Sequence, residues 1–272
     1  MTTLPPGPTP PGYRSGAGGG QPATRWPIVP LRRGLYKRGR RFPDARSRVP
    51  AAEKDPMDFA RARANMVANQ LRPNRIQDPR VLEAMGEVPR ELFLPKHLRP
   101  VAYHDEDIDL GNGRRLIEPL ALAKMLEAAA VRPEDAVLVI GCDTGYSAAV
   151  LSRLAGTVFL LVEEEAAGEA IEKLMMELGC ENVLLQPGKP REGLPQLAPF
   201  DLILIAGGVA EVPRGLLDQL ADGGRLVTVL VEGAAGKVAV FERFGEAIGK
   251  ITPFDAWVPP LPAFLPEPGF TF

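Results

Sequence analysis

The sequence predicts an α/β protein: one mostly parallel sheet with helices on both faces and an antiparallel hairpin at one edge. Three observations predict it. From residue 136 onward, short apolar runs alternate with helical stretches, the pattern of a parallel sheet whose crossovers cover it. Runs such as Ala136-Val137-Leu138-Val139-Ile140 are apolar at nearly every position, as strands buried on both sides must be. The last two runs, near 237–243 and 248–257, are joined only by Phe244-Gly245-Glu246-Ala247, so they should pair antiparallel as a hairpin.

Taken in order, the elements begin after an unusual leader. Residues 1–56 hold 11 Pro, 8 Gly and 11 Lys/Arg against three acids, whereas the remaining residues carry 21 basic and 31 acidic groups. Such a segment cannot bury enough surface to offset its ordering entropy, so it is expected to be a disordered basic tail. A targeting peptide would need an apolar run of about 7–15 residues, and Ile28-Val29-Pro30-Leu31 is too short. A basic arm for anionic surfaces is one alternative. The preferred reading is that the tail contributes nothing, because Met57-Asp58-Phe59-Ala60 itself looks like a protein's beginning.

Residues 57–272 suit one domain of about 200 residues. Asp58 should cap a helix that ends near Leu71, before Arg72-Pro73. A second helix is expected over 79–88, with Pro79 in its first turn, then an irregular, acidic and Gly-rich stretch over 89–115. A helix at 120–130 precedes strand 136–140. Helix 146–154, strand 157–162, helix 165–178, strands 182–186 and 200–205, helix 213–221 and strand 225–231 complete the series.

Composition narrows the function classes. The 272 residues are 45% hydrophobic and 24% charged, enough apolar material for a globular core. Every apolar run stops well short of the roughly 18–20 residues of a spanning helix, so no membrane partner is expected. Cys142 and Cys180 are the only cysteines, which points to a reducing, cytoplasmic setting without disulfides. The net charge of −2 argues against general nucleic-acid binding, and a monomer is expected. His97 and His104 lack Cys or His partners at ligand spacing, so no metal site is expected.

The ligand crevice of such a sheet lies beyond the carboxyl ends of its strands, at the first strand–helix turn. Here that turn reads Val139-Ile140-Gly141-Cys142-Asp143-Thr144-Gly145-Tyr146. Gly141 and Gly145 allow tight turning and close backbone approach to a ligand. The strict dinucleotide fingerprint fails, because Asp143 and Tyr146 stand where its other glycines would fall. Glu163 follows Gly141 by 22 positions, where an acid would hold a ribose diol; it could equally decorate the next helix's positive end, the reading preferred for Glu164 and Glu165. Cys142 sits at a helix N-terminus, which favours thiolate, but Asp143 opposes that and no base stands nearby in sequence. Ser147 and Ser152 lack a nucleophile-elbow context, and Met175-Met176 read as packing.

Three segments go beyond a generic fold. They are Met66-Val67 with Gln70-Leu71; Glu87-Val88-Pro89-Arg90-Glu91-Leu92-Phe93-Leu94-Pro95 followed by Ala102-Tyr103-His104-Asp105; and Gly141-Cys142-Asp143-Thr144-Gly145-Tyr146-Ser147-Ala148-Ala149-Val150-Leu151. In that order and spacing they resemble protein L-isoaspartate O-methyltransferases, from about Met57 to Val231. The resemblance implies a Rossmann-like class I methyltransferase fold with a seven-stranded sheet. It also implies S-adenosylmethionine over the Gly141 turn and methyl transfer to the isoaspartyl carboxylate of damaged proteins or peptides. By the same resemblance Gly141, Cys142, Asp143, Gly145, Glu163, Gly188 and Lys189 face the cofactor, and Tyr103, Asp105 and Arg115 face the substrate. It divides the domain into a helical and substrate-loop region (57–118), a core (119–258) and a Pro-rich C-terminal extension (259–272).

Four positions depart from the family pattern. The loop Arg115-Leu116-Ile117-Glu118-Pro119 places Ile117 at the family's serine, the residue that contacts the reacting carboxylate, and Glu118 beside it would repel an anion. An alternative alignment puts Glu118 itself on the serine. Val139 replaces an acid that helps hold the cofactor's methionine end, Asp143 replaces a glycine, and the family's Gly-Asp-Gly after the third strand, whose Asp region faces the adenine, reads Pro187-Gly188-Lys189-Pro190. Two other functions therefore stand beside the first: a binding protein of this fold with impaired transfer, and a methyltransferase with another acceptor. Trp257 and Phe264, among Pro259, Pro260, Pro262 and Pro266, either cover the sheet edge or line the substrate cleft.

Overall fold

The computed structural model describes residues 58–163 and 165–265. The expected disordered tail, the reading of Met57 as a start, Glu164 and the last seven residues lie outside the described residues. The chain divides after Arg33, and every described residue belongs to the unit beginning at Gly34.

The first helix is α1, Phe59–Met66, whose N-cap Asp58 accepts the Arg61 N–H at 3.0 Å. It widens into a π-helical turn, Val67–Leu71, before Pro73 ends it. Helix α2, Pro79–Glu87, starts at the expected proline with Asp78 as its cap. Two 3₁₀ turns follow, Arg90–Phe93 and Lys96–Val101. The stretch read as irregular then holds a small hairpin, β1 (Ile108–Gly111) and β2 (Arg114–Leu116). Its turn, Gly111-Asn112-Gly113, has all three residues at positive φ, which Gly and Asn tolerate.

Helix α3, Pro119–Ala129, leads into the main sheet. The strands are β3 (Ala136–Ile140), β4 (Thr157–Val162), β5 (Val183–Pro187), β6 (Phe200–Val209), β7 (Leu220–Glu232), β8 (Ala235–Phe244) and β9 (Ala247–Asp255). Their spatial order is β5-β4-β3-β6-β7-β8-β9, parallel through β7 and antiparallel over the last two pairs. The seven strands and the edge hairpin are those expected.

Helix α4 (Tyr146–Leu151) joins β3 to β4, and α5 (Glu165–Glu177) joins β4 to β5. Alternate strand residues, such as Val137, Val139, Leu202 and Leu204, pack with the helices α1 to α5. The opposite residues, such as Leu138, Ile140, Ile203 and Ile205, pack with Leu194, Leu216, Leu217 and Phe264. Helix α6 on that second face is Arg214–Leu217 only, where 213–221 was expected. The buried Gln219 explains the early stop: its side chain accepts the Leu194 N–H and donates to the Glu192 and Gly215 carbonyls, drawing the chain into β7.

Candidate active site

β3 pairs with β4 on one side and β6 on the other, so the strand order reverses at β3. A crevice at such a switch point lies beyond the strands' carboxyl ends. The Gly141–Tyr146 turn stands there, closed by a 3.1 Å bond from the Gly145 N–H to the Cys142 carbonyl. Gly141 and Gly145 have φ of +75° and +85°, a region L side chains rarely adopt. A Cβ on Gly145 would lie 2.6 Å from the Met175 methyl, so the bare backbone also lets α5 pack down.

Cys142 is buried, and its Sγ accepts the Ser147 N–H at 3.2 Å. Burial pushes its thiol upward, against the favourable helix N-terminus, so the structure does not make it a thiolate nucleophile. Asp143 is half-buried on the turn, and Glu163 is exposed just past β4. Val162 pairs with Pro187, which places Glu163 and Gly188 at adjacent strand ends. Lys189 is exposed and pairs with Glu192 at 2.9 Å, clasping its own turn. A glycine turn at the switch point with an exposed carboxylate at the next strand end has the chemistry to hold the ribose half of an adenosyl group.

The other half of the crevice is apolar. Val139 is fully buried in the core. Beyond β9 the C-terminal segment crosses the end of β6 as a strap: the Gly208 N–H donates to Pro259 at 3.1 Å, and the Leu261 N–H donates back to Gly208 at 2.9 Å. Val258 and Phe264, both buried, pin its two ends. Leu261 lies between them, and a Cβ on either Gly141 or Gly207 would stand 2.5 Å from its side chain. Pro262 reaches the position a Cβ on Gly113 would approach at 3.0 Å. Of the two residues singled out in the extension, Phe264 packs into the core of the second face, and Trp257 is exposed with its indole N–H donating to the Gly233 carbonyl at 3.4 Å. Gly207, Gly208 and Leu261 were not singled out from sequence, because their pairing spans about fifty residues.

The Arg115–Pro119 loop leads into α3. Ile117 buries its side chain in the core and offers only its carbonyl, which Arg90 Nη2 holds at 2.6 Å. Glu118 is half-buried, and its N–H donates to Asp107 at 2.9 Å. Burial pushes its carboxyl from 4.5 up to about 7; Asp105 and Asp107 add to the rise, while Lys124 and Arg90 oppose it. Asp105 is exposed and accepts the Leu120 N–H at 3.3 Å. Arg115 pairs with Asp109 across the β1–β2 hairpin at 3.4 Å.

Tyr103 is buried. Its hydroxyl donates to Glu91 in a short bond and accepts from Arg63 at 3.3 Å, and burial raises its pKa. The residue sequence reasoning missed is Arg90: it lies in the Val88-Pro89-Arg90 segment, yet nothing in the local pattern shows that its side chain is buried.

Residues 62–255 match the family model described as Protein-L-isoaspartate(D-aspartate) O-methyltransferase. A protein-L-isoaspartate O-methyltransferase of Synechococcus sp. (strain JA-2-3B'a(2-13)) is 43% identical over 188 residues, covering 68% of this chain and 77% of the relative. One of Koribacter versatilis (strain Ellin345) is 43% identical over 178 residues, 65% of this chain and 80% of that protein. A solved protein-L-isoaspartate O-methyltransferase superposes with a TM-score of 0.62 at 26% identity; the match covers 73% of this chain and 65% of that one.

Proposed function

Because the chain belongs to the protein-L-isoaspartate(D-aspartate) O-methyltransferase family, we propose that it methylates the isoaspartyl carboxylate of damaged proteins with S-adenosylmethionine. The observation that carries this reading is the family match over 62–255, which takes in both the glycine turn at the switch point and the facing loop. S-adenosylmethionine, when bound, supplies a methyl group already activated by its sulfonium.

The chain's own task is then alignment and exclusion of water. The Gly141–Gly145 turn would carry the adenosyl group along its backbone, and Glu163 would hold the ribose diol. The Ile117–Glu118 loop would face the acceptor, whose carboxylate oxygen is itself the nucleophile. No general base is needed, because no proton leaves the acceptor when its ionised oxygen forms the ester. Asp105 and Arg115 flank that loop as candidate substrate contacts, with Asp143, Gly188 and Lys189 on the cofactor side.

We read the working form as a cytoplasmic monomer acting on proteins and peptides, without nucleic-acid or membrane partners. Two buried free cysteines support a reducing setting, and no described helix is long and apolar enough to cross a membrane. The deciding experiment is methanol release from an isoaspartyl peptide set against its aspartyl twin. Release from the first alone is expected; equal release from both would move the chain to another acceptor. Release from neither would favour the impaired binding protein, for which Leu261 on the glycine turn is the motivating contact.

A further inference from the structure

Arg90 is the most deeply buried cation among the described residues. A buried charge is costly unless it is paired and hydrogen-bonded. Arg225, the other buried arginine, has Asp135 at 2.7 Å, whereas Arg90 makes no ion pair with a described carboxylate. Its guanidinium instead spans two backbone carbonyls, with Nε donating to Ala102 at 2.7 Å and Nη2 to Ile117 at 2.6 Å. Its plane lies 4.8 Å from the centre of the Tyr146 ring. Nη1 and the Tyr146 hydroxyl remain buried without a hydrogen-bond partner.

These three contacts belong to three different parts of the site. Ala102 precedes Tyr103, Ile117 lies in the acceptor loop, and Tyr146 opens α4 directly after the glycine turn. An apolar side chain of the same size could fill the space but could hold neither carbonyl. Ile117 carries no side-chain hydrogen-bonding group, so Arg90 holds the loop there through its backbone carbonyl. A rigid planar fork can reach both carbonyls in one fixed geometry, which a lysine ammonium on its flexible stem cannot.

We propose that Arg90 is a positioning residue for methyl transfer, clamping the Ile117 carbonyl so that the acceptor loop is set against the Tyr146 end of the glycine turn. The inference rests on the methyltransferase reading and adds to it a residue that touches neither cofactor nor acceptor. Misplacement of a reacting group by about 1 Å can cost on the order of a hundredfold in rate.

The test compares wild type with Arg90→Lys. Titration calorimetry with S-adenosylhomocysteine reads the cofactor site, and steady-state methylation of an isoaspartyl peptide reads kcat and KM. Arg90→Lys keeps the charge but not the fork. Its kcat should fall at least about tenfold while S-adenosylhomocysteine affinity stays within about twofold, a split that general loosening of the core would not give. Unchanged kcat, or affinity that falls in step with kcat, would overturn the proposal. Should Arg90→Lys not fold, Arg90→Gln keeps one donor for Ile117 and is judged by the same split. If neither folds, Arg90 is a core strut and the proposal is wrong. A wild type that binds S-adenosylhomocysteine yet esterifies no isoaspartyl peptide would remove the proposed function, and this inference with it. An active wild type beside an unimpaired Arg90→Lys removes only the inference.

Discussion

Glu118 precedes α3 but caps none of its backbone N–H groups; Asp107 accepts from Glu118 and Asp105 from Leu120. Those two carboxylates are held as acceptors, and Glu118 is left half-buried between their charges with its carboxyl pushed up to about 7. A carboxyl raised in the fold from 4.5 stabilises most below about 4.5, and that contribution is lost as pH rises through about 7. Below 7 the side chain is neutral and compatible with an anionic acceptor; above 7 it repels one. KM for an isoaspartyl peptide should therefore climb as pH passes from 6 to 8, and Glu118→Gln should flatten the climb. Thermal melts supply the second check, because Glu118→Gln should gain on wild type at pH 8 and not at pH 4.5. A KM that rises equally in both proteins would place the titrating group elsewhere.

The strap and the β1–β2 hairpin decide the shape of the cleft, since Leu261 lies on Gly141 and Gly207 while Pro262 touches Gly113. If Leu261 occupies ground that the cofactor's methionyl half needs, Leu261→Ala should bind S-adenosylhomocysteine more tightly than wild type, by calorimetry. If instead Leu261 packs on the ligand, the same variant binds more weakly, and the apolar half of the crevice is a wall. These two elements were also the least legible ones. The β3 strand, Ala136–Ile140, and β4, Thr157–Val162, stand where their apolar runs put them, because a strand buried on both faces needs no partner to be recognised. The hairpin was hidden because its strands are only four and three residues long, although Gly111-Asn112-Gly113 is a turn signal. The strap was legible only as Pro-rich chain, since what seats Leu261 is the absence of side chains at 141 and 207, far away in sequence. Likewise the departure at Ile117 was readable as a residue type, but not that its side chain turns into the core, whereas the burial of Val139 followed from its apolar run.

At the scale of all the described residues, the glycine turn and the staple that holds the sheet together lie at opposite ends of the strands. Asp135, just before β3, pairs with Arg225 of β7 at 2.7 Å, and both are buried. The same guanidinium donates to the carbonyls of Ala129, Ala130 and Asp201, tying the end of α3 and the start of β6 into one knot. Asp201 completes it by accepting the Ala136 N–H at 2.9 Å. Every donor arm of Arg225 is used, so this arginine is structural where Arg90, with one arm unpartnered, faces the catalytic half. Removing one partner of a buried pair strands the other charge and costs about 3–5 kcal/mol. Arg225→Ala should therefore lower the melting temperature by roughly 6–20 °C, given about 2–4 °C per kcal/mol for a domain of this size. Because the amino ends of the strands carry no part of the crevice, the folded fraction should bind S-adenosylhomocysteine as wild type does. A drop of only about 3 °C, or a loss of affinity at temperatures where the variant is folded, would show that the knot is not the independent staple its geometry describes.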